Sequence, residues 1–421
     1  MAVAIDAPAM RVVASDDAVI PELARVMVDA YPVMGVTTAD AFAAFVERVR
    51  SATEDPVRDV AAERNGEVVG GMRLYDFVMN VRGSDAATGG VGAVAVALAH
   101  KRQGVARAML AWYLHWYHKR GAPFAILHPF WSDFYRALGF GYGTPTHRFR
   151  FVPRTLRNDG ARGTVRALHA GDLDAVLACS ERIRTVTNGL VQRYRGVTEK
   201  ALAELSTRHV GVEDAGVLRG FMQTSLTLGH RDVTNRNVLV VRDFQAEDGA
   251  AAGALLGYLR AQHDQFMEIA IETQDPSFFL ASTDPRDRSD RVLAPPAAHR
   301  VAETGLGIMY RLLDVPAAFA YLPRPAQPFA LRVIVDDTFF APTAFDGTFR
   351  CDASGIRPDE HAAPDATLSV AIPELSSLVA GSLRLRDVAR HRLATVEPAS
   401  ALPRVAELFD TQTPPVCTTR F

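Results

Sequence analysis

A short basic turn between an apolar segment and an amphipathic helix is the first candidate for chemistry. The turn Lys101-Arg102-Gln103-Gly104-Val105-Ala106 follows the segment VGAVAVAL. The first N–H groups of a helix lack partners within the helix and lie at the positive end of its dipole, so they bind phosphate. Gly104 lets the backbone approach a ligand, Ala106 keeps the first turn narrow, and Lys101 and Arg102 add positive charge. We include Arg107 with the turn. We predict that this turn binds a pyrophosphate or 3′-phosphate, although an ordinary basic loop would have the same pattern.

A tyrosine in the segment FYRALGFGYG is the second candidate. Tyr135 falls early in a short predicted helix. A phenol with a pKa of about 10 can donate its proton to a leaving thiolate, whose pKa is about 8.5. The alternative is a tyrosine that only packs, with its hydroxyl anchored. Tyr142, in the following glycine turn, is a second choice, and its position favours a role in shaping the loop.

Strand and helix patterns surround these two candidates. Residues 10–30 predict a strand and then a helix, and Ala39–Val49 predict another helix. Asn65-Gly66 predicts a hairpin between strands at Val57–Glu63 and Glu67–Tyr75, and Gly83–Gly90 predicts a loop. PFAILH predicts a further strand. The buried stripe of the helix after the basic turn is predicted to consist of Val105, Met109, Trp112 and Trp116.

The same order of elements recurs in the second half of the chain. Beyond a polar linker near residues 154–164, residues 237–275 again predict a strand, a loop, a helix and a strand. The basic turn is replaced there by RDFQAEDGAA, which is net acidic, so we interpret this region as a degenerate copy of the first. A proline-rich linker follows, and the last 120 or so residues alternate strands and helices before an extended end, TQTPPVCTTRF.

The two motifs resemble those of the GNAT acetyltransferases. The turn is similar to their motif A, (Q/R)xxGx(G/A), with Lys101 at its first position instead of Arg or Gln, and FYRALGFGYG is similar to their FYxxxGF signature. The resemblance implies acetyl-CoA as cosubstrate and Tyr135 as the general acid. It also implies that the strands GAVAVAL and PFAILH separate, so that the backbone of Val94, Ala95 and Val96 binds the pantetheine arm and the acetyl carbonyl.

The whole chain resembles the enhanced intracellular survival (Eis) branch of that superfamily. This resemblance implies a mixed α/β fold with a catalytic GNAT domain at residues 1–152, a degenerate GNAT-like domain at 153–292 and a sterol-carrier-like α+β domain at 293–421. It further implies a hexamer and direct transfer of acetyl to a primary amine. In that branch the general base is the C-terminal carboxylate, which here is that of Phe421. Without the resemblance, Phe421 would be taken for a frayed terminus.

Several residues near the expected site depart from what an aminoglycoside acceptor would need. Phe130 and Trp131 are bulky where the loop after PFAILH reaches the coenzyme. Arg420 stands beside the terminal carboxylate and would repel a polycation. The segment Tyr31-Pro32-Val33-Met34, expected to line the acceptor cleft, carries no acid. The candidates left to bind ammonium groups are Asp29, Asp40 and Asp76, and the acceptor stays open between an aminoglycoside, a lysine and another amine.

The composition argues against several other classes of protein. The 421 residues carry a net charge of −2, which gives no global field for nucleic acid or an anionic membrane. The start of the chain lacks the features of a signal peptide and no apolar stretch reaches 18 residues, so we expect a cytoplasmic protein. Cys179, Cys351 and Cys417 are too far apart to suggest a metal site or a disulfide, and the pair His115 and His118 lacks further ligands. The alternative functions are a non-catalytic coenzyme A-binding protein and a lipid carrier.

Overall fold

The computed structural model describes residues 7–52, 56–160, 163–227, 237–287, 292–294, 298–419 and 421. The chain divides into two compact units. The first contains residues 1–143 and 308–414 together with Phe421, and the second contains residues 144–307 and 415–420. The predicted domain boundaries at residues 152 and 292 stay a prediction.

A mixed sheet forms the centre of the first unit. Within the described residues its strands lie in the order β1-β2-β3-β4-β5-β16-β6. They are β1 (Ala9–Val13), β2 (Val57–Arg64), β3 (Glu67–Val81), β4 (Ser84–Val96), β5 (Phe124–Leu127), β6 (Gly141–Tyr142) and β16 (Met309–Leu312). The helices are α1 (Ile20–Ala30), α2 (Ala39–Ala52), α3 (Val105–His118) and α4 (Ser132–Arg136). As predicted, Asn65 and Gly66 form the β2–β3 turn, with φ of 52° and 79°.

The loop predicted at Gly83–Gly90 is wrong, because these residues belong almost entirely to strand β4. Strand β3 runs on to Val81, and only Arg82 and Gly83 form the turn, with φ of 53° and 89°. Positions 89 and 90 require glycine because aromatic rings occupy the space beside them. A side chain at Gly89 would overlap the ring of Tyr117, and one at Gly90 would overlap that of Phe77. The glycines therefore reflect close packing on a strand.

Helix α3 packs on this sheet with a wider face than its sequence pattern predicts. Val105 and Met109 are buried as expected, but Trp112 and Trp116 are only half-buried. Two tyrosines are buried more deeply. The Tyr113 hydroxyl donates to the carbonyl of Gly89 at 2.7 Å, and that of Tyr117 donates to Asp76 at 2.8 Å. These hydrogen bonds compensate for the free-energy cost of burying the two phenol hydroxyls. The spacing of hydrophobic residues alone does not indicate that the tyrosines are buried.

The C-terminal part of the first unit has a second, five-stranded sheet among its described residues. The strand order is β19-β18-β17-β20-β21. The strands are β17 (Phe329–Asp336), β18 (Phe345–Asp352), β19 (Gly355–Pro358), β20 (Ala366–Ala371) and β21 (Ala394–Glu397). The helices are α8 (Val315–Phe319), α9 (Ile372–Ala380), α10 (Leu385–Arg390) and α11 (Leu402–Phe409). This part is joined to the first sheet by β16, which pairs with both β5 and β6.

The second unit repeats the succession of elements found in the first. Its described sheet has the order β15-β7-β12-β11-β10-β9-β8. The strands are β7 (Thr146–Phe151), β8 (Thr164–Leu168), β9 (Thr207–Asp214), β10 (Val217–Thr227), β11 (Asn237–Ala246), β12 (Phe266–Thr273) and β15 (Ala302–Gly305), with β13 (Val292–Ala294) and β14 (Ala298–His299) paired separately. The helices are α5 (Leu173–Val186), α6 (Arg195–Ala203) and α7 (Gly249–Ala261). As predicted, α7 lies between two strands, β11 and β12, and the structure pairs these strands in parallel.

No helix within the described ranges is long and apolar enough to span a membrane. The three cysteines are buried. His115 and His118 both pack against the ring of Phe340, at centroid distances of 4.7 and 5.7 Å, and each places its Nδ1 next to a backbone carbonyl. In the structure these two histidines are therefore packing residues of helix α3.

Candidate active site

The two central parallel strands of the first unit separate partway along their length. Strands β4 and β5 pair from Thr88–Phe124 to Val91–Leu127 and then part, while β4 continues to Val96 along β3. At the point of separation β4 has a bulge, with Ala93 and Val94 both opposite Met72 of β3, and Ala93 has φ of 49°. Beyond Val91 the backbone of β4 thus lies apart from β5, as the resemblance implied, and of the three residues named for the coenzyme Val94 lines the cavity that follows. Binding of the pantetheine arm and the acetyl carbonyl by Val94, Ala95 and Val96 stays a prediction.

A cavity of about 370 Å³ lies in this cleft. Its lining combines the opened backbone of β4 with several aromatic side chains: Tyr31, Met34, Tyr75, Val91, Gly92, Ala93, Val94, His128, Pro129, Phe130, Tyr135 and Phe421. The Tyr31 hydroxyl donates to the carbonyl of Val94 at 2.8 Å, so that this carbonyl is already bound within the protein. The volume is within the range of sites for small molecules.

Tyr135 lies at the wall of this cavity. Helix α4 carries it, its side chain is largely buried within the core of the first unit, and its ring packs edge-to-face on Phe134 and Phe140. Burial, together with the neighbouring Tyr31, raises the pKa of Tyr135 to about 12. The hydroxyl is therefore protonated throughout the neutral range, as a proton donor must be.

Phe421 reaches the same cavity and is held there by aromatic rings. Its ring lies edge-on to those of Tyr75 and Phe77, at centroid distances of 5.4 and 5.0 Å, and 4.9 Å from that of His128. Its carboxyl group lies over Gly92. A Cβ at that glycine would lie 2.8 Å from the carboxyl carbon of Phe421 and 3.1 Å from its oxygen. The absence of a side chain at position 92 is what makes room for the carboxyl group.

The basic turn forms the N-terminus of helix α3, as predicted. Gly104 is the N-cap with φ of 80°, and the first hydrogen bond of the helix joins Ala108 N–H to the Gly104 carbonyl. The N–H groups of Val105, Ala106 and Arg107 precede that bond and lack helical partners. Lys101 and Arg102 are exposed, and a side chain at Gly104 would meet nothing within 4 Å. This end of the helix is therefore open to an anion.

Two other side chains of the turn have partners inside the protein. The Gln103 amide accepts from Arg64 at 2.9 Å and donates to the carbonyl of Ala99 at 3.0 Å. The guanidinium of Arg107 stands over the ring of Phe339. Their side chains thus hold the turn in shape, and Val105 is buried in the core below it.

The residues that the sequence analysis considered for their effect on the acceptor do not all line the cavity. Phe130 and Trp131 are largely exposed, and only Phe130 lines the cavity. Asp76 is held by Tyr117 and Arg58 and does not line the cavity. Asp29 and Asp40 are exposed and do not line it either. Arg420 lies outside the described residues.

Sequence reasoning missed the residues that hold Phe421, namely Tyr75, Phe77 and Gly92. Tyr75 and Phe77 are two apart on one strand, and their rings stack at 5.5 Å. That spacing places them on one face of β3. Nothing in it indicates that a residue more than 300 positions away packs on them.

The second unit has a similar pair of separating strands, but its helix N-terminus is already occupied. The carboxylate of Asp248 accepts a hydrogen bond from the N–H of Ala251 at 2.8 Å and caps α7. An acidic cap stands where a phosphate would bind. This agrees with the loss of the basic turn in the sequence.

Family models match both ends of the chain. That of the acetyltransferase (GNAT) domain matches residues 24–143, and that of the sterol carrier protein domain matches residues 315–418. The N-acetyltransferase Eis of Mycobacterium bovis (strain BCG / Pasteur 1173P2) and that of Mycobacterium tuberculosis (strain ATCC 25177 / H37Ra) are each 27% identical to this chain over 362 residues. Each match covers 82% of this chain and 82% of the relative.

Solved structures share the fold over almost the whole chain. The GCN5-related N-acetyltransferase from Kribbella flavida is 21% identical, with a TM-score of 0.76 over 98% of this chain and 99% of that one. Eis1 from Mycobacterium abscessus is 23% identical, with a TM-score of 0.75 over 98% and 100%. The predicted mixed α/β fold class is confirmed, with a GNAT domain near the start and a sterol-carrier-like domain at the end.

Proposed function

We propose that this chain, an Eis-like acetyltransferase of the GNAT type, transfers acetyl directly from acetyl-CoA to a small primary amine in the cavity of the first unit. One observation carries the proposal. A single cavity is lined by the opened backbone of β4, by the hydroxyl-bearing Tyr135 and by Phe421. These supply, in one place, a site for a thioester, a proton donor and a proton acceptor.

The N-terminus of α3 is suited to the phosphates of acetyl-CoA. Three N–H groups that precede the first helical hydrogen bond, the open Gly104 and the exposed cations Lys101 and Arg102 form a site that favours an anion. The separated backbone at residues 92–96 continues this site towards the cavity. Acetyl-CoA supplies an activated thioester, whose carbonyl carbon the acceptor nitrogen attacks.

We assign the general base to the α-carboxylate of Phe421. An acceptor arrives as an ammonium and must lose a proton before its nitrogen can attack. The carboxyl group lies over Gly92, which lines the cavity together with Phe421, and there it can accept this proton directly or through a water. A terminal carboxylate is a weak base with a pKa near 3.5, so its advantage must come from position and from a site with little water.

We assign the general acid to Tyr135. As the new C–N bond forms, the C–S bond breaks and its electron pair goes to sulfur. The Tyr135 hydroxyl donates a hydrogen bond, and then its proton, to that sulfur. Its raised pKa, about 12, keeps the proton on the oxygen until the sulfur becomes negative.

The lining of the cavity favours an amine with an apolar or aromatic body. Tyr31, Tyr75 and Phe130 present rings, and Met34 adds a thioether. One carboxylate, that of Phe421, can pair with one ammonium, while further ammonium groups of a polycation would have to lie against these rings. Our proposed acceptor is therefore a monoamine such as an arylalkylamine, in preference to an aminoglycoside.

A panel of amines tests the acceptor. Release of the coenzyme A thiol is measured with phenethylamine, an alkyl monoamine, a polyamine and an aminoglycoside. We expect the highest kcat/KM for phenethylamine. A clear preference for the aminoglycoside would contradict the proposed acceptor class, and no turnover of any amine, with acetyl-CoA still bound, would favour a non-catalytic binding protein.

A change at the C-terminus tests the base. A short Gly-Ser extension after Phe421 replaces the carboxylate by a neutral amide, and deletion of Phe421 moves the carboxylate back by up to about 3.5 Å. Since an error of 1 Å can cost about 10²-fold in rate, both variants should lose most of kcat while binding acetyl-CoA normally by calorimetry. The same extension at the N-terminus is the control. Full kcat in the C-terminally extended protein would rule out this base.

A further inference from the structure

The second unit contains a cleft in the same place as the cavity of the first. Strands β11 and β12 pair in parallel up to Val241–Ile271 and then separate, while β11 continues to Ala246 along β10. A bulge follows at the same register as in the first unit. Asp243 and Phe244 both lie opposite Met222, and Asp243 has φ of 56°. Asp243 thus corresponds in position to Ala93, and the open backbone beyond it corresponds to the coenzyme side of the first cavity.

The last residues of the chain fill this second cleft. The carbonyl of Pro415 accepts from the Thr144 hydroxyl at 2.6 Å, and the N–H of Val416 donates to the carbonyl of Asn188 at 2.7 Å. The N–H of Cys417 donates to the Gln274 side chain at 2.6 Å, and the Cys417 side chain is buried. Residues 415–417 are therefore held by their main chain, as a peptide ligand would be.

Asp243 binds the tail through a side chain as well. Its carboxylate accepts from the hydroxyl of Thr418 at 3.2 Å, and Gln245 donates to both the Asp243 carboxylate and the Thr418 hydroxyl, at 3.1 and 3.2 Å. Arg193 places one guanidinium nitrogen 2.6 and 2.5 Å from the two Asp243 oxygens. Both side chains of this ion pair are less than 20% exposed, at 19% and 18%. The pair is thus well shielded from water. Asp243, the residue of the bulge with positive φ, is also the residue whose side chain contacts the tail.

The wall of the cleft is shaped for this occupant. Gly189 has φ of 89°, and a Cβ there would lie 2.7 Å from the Cβ of Pro415 and 2.8 Å from the nitrogen of Val416. Only glycine allows so close an approach with that backbone conformation. The cleft therefore fits the tail both at the main chain of residues 415–417 and at the hydroxyl of Thr418.

We propose that the degenerate unit is a binding site for the chain's own C-terminal tail, and that Asp243, Arg193 and Thr418 are positioning residues for Phe421. Thr418 and Phe421 are three residues apart, so at most about 10 Å of chain joins them. Release of Thr418 from Asp243 would therefore loosen Phe421. This second half of the proposal rests on the proposed function of Phe421, whereas the tail site itself does not.

Labelling of Cys417 tests the tail site without any assay of activity. Cys417 lies within the bound tail, and Cys351, buried in the first unit, is an internal control in the same sample. The full-length protein is treated with a thiol reagent under native conditions, and the rate at each cysteine is followed by mass spectrometry. We expect labelling of Cys417 to rise about 10- to 100-fold in Asp243→Asn and Thr418→Val, which is the effect of losing a hydrogen bond to a charged group. Labelling of Cys351 should not change.

Two further variants separate tail release from general damage. Glu268→Gln breaks the ion pair with Arg150 in the same sheet, at a carboxylate of similar exposure (16%), and should leave Cys417 protected. Thr418→Ser keeps the hydroxyl and should also keep the protection. Unchanged labelling of Cys417 in both Asp243→Asn and Thr418→Val would overturn the tail site.

Kinetics with the best acceptor then test the link to Phe421. In Asp243→Asn and Thr418→Val we expect kcat to fall about 10-fold or more, with the KM for acetyl-CoA nearly unchanged. Faster labelling of Cys417 with an unchanged kcat would leave the tail site standing and would overturn the positioning of Phe421, whereas the terminal base itself is tested separately by the C-terminal extension. Failure of the proposed function and failure of the tail site thus give different results.

Discussion

Tyr135 shows how burial can both help and hinder a single catalytic side chain. A pKa of about 12 keeps the phenol protonated, but it also makes the phenol a weaker acid than a thiol in water, whose pKa is about 8.5. The same low-polarity surroundings disfavour a thiolate and raise the pKa of the leaving sulfur. The hydroxyl and the sulfur are thus shifted in the same direction. Proton donation through a hydrogen bond that strengthens as the C–S bond breaks therefore remains favourable, and it is the mode of action that we expect.

Replacing Tyr135 by Phe should lower kcat about 10²-fold and leave the affinity for acetyl-CoA nearly unchanged. Because the pKa is raised, the proton is lost only as the pH approaches 12. The wild-type enzyme should therefore show no loss of kcat from tyrosine ionisation between pH 6 and 10. Steady-state rates over that range, with binding by calorimetry, check both points.

Tyr142→Phe is the matched control for this variant. Tyr142 lies on β6, is half-buried under Arg136 and does not line the cavity. Its replacement should leave kcat within about twofold. Wild-type turnover in Tyr135→Phe, or an equal loss in Tyr142→Phe, would return Tyr135 to a packing role.

At the scale of single elements, the sequence predicted those helices and turns that depend on the spacing of neighbouring residues. The start of α3 after Gly104, the Asn65-Gly66 hairpin and the strand–helix–strand order around α7 were all predicted, since each depends on residues close together in the chain. The segment Gly83–Gly90 was misjudged because glycines suit both loops and strands packed under aromatic rings. Only the positions of Tyr117 and Phe77 decide between these two possibilities.

In the candidate site, too, the sequence predicted the features that depend on residues close together in the chain. The basic turn and Tyr135 carry local signatures, and the separation of β4 from β5 was expected by resemblance. The bulge at Ala93 and the ring contacts of Phe421 depend on contacts between distant parts of the chain, so no local sequence pattern indicates them. For the tail, the sequence predicted only an extended end with prolines and did not indicate Asp243 as its partner.

The N-terminus of α3 is expected to bind acetyl-CoA through its backbone and its dipole. Gly104→Glu places a negative charge there, on a residue with φ of 80° and no neighbour within 4 Å of its Cβ. Repulsion of the phosphates should weaken acetyl-CoA binding by 10-fold or more, measured by calorimetry. The strain of a side chain at positive φ would act in this variant as well, so a control with the same strain is needed.

Gly121→Glu provides that control at the other end of the helix. Gly121 follows α3 with φ of 73°, and its Cβ would also meet nothing within 4 Å. The backbone strain is therefore similar, but the charge lies far from the predicted phosphates. We expect normal acetyl-CoA binding in Gly121→Glu. Equal affinities in the two variants would contradict the assignment of the turn.

At the scale of the whole molecule, the first unit is built from two long stretches of chain, residues 1–143 and 308–414, together with Phe421. Strand β16 lies between β5 and β6 in the first sheet, although its residues follow the second unit in the sequence. Arg311 of β16 is fully buried, donates to the carbonyl of Gly139 and pairs with the equally buried Asp337 at 2.6 Å. Asp337 in turn accepts from the N–H groups of Phe339 and Phe340. The GNAT part and the sterol-carrier-like part thus share a sheet, a core and a buried ion pair.

This shared core predicts that the GNAT part cannot fold alone, even though a family model matches it as a domain at residues 24–143. A fragment of residues 1–143 would lose Met309, Leu313 and Phe340 from its core and would leave β5 with an unpaired edge. We expect it to aggregate or to melt without a cooperative transition, by circular dichroism and size-exclusion chromatography. The matched control removes the second unit instead and joins Gly143 to Ile308 through a short glycine linker, followed by residues up to Pro414. Gly143 N–H already donates to the Ile308 carbonyl at 2.9 Å, so this junction requires little movement, and we expect cooperative unfolding. A stably folded 1–143 fragment would show that β16 is an addition to the GNAT core and not one of its structural strands.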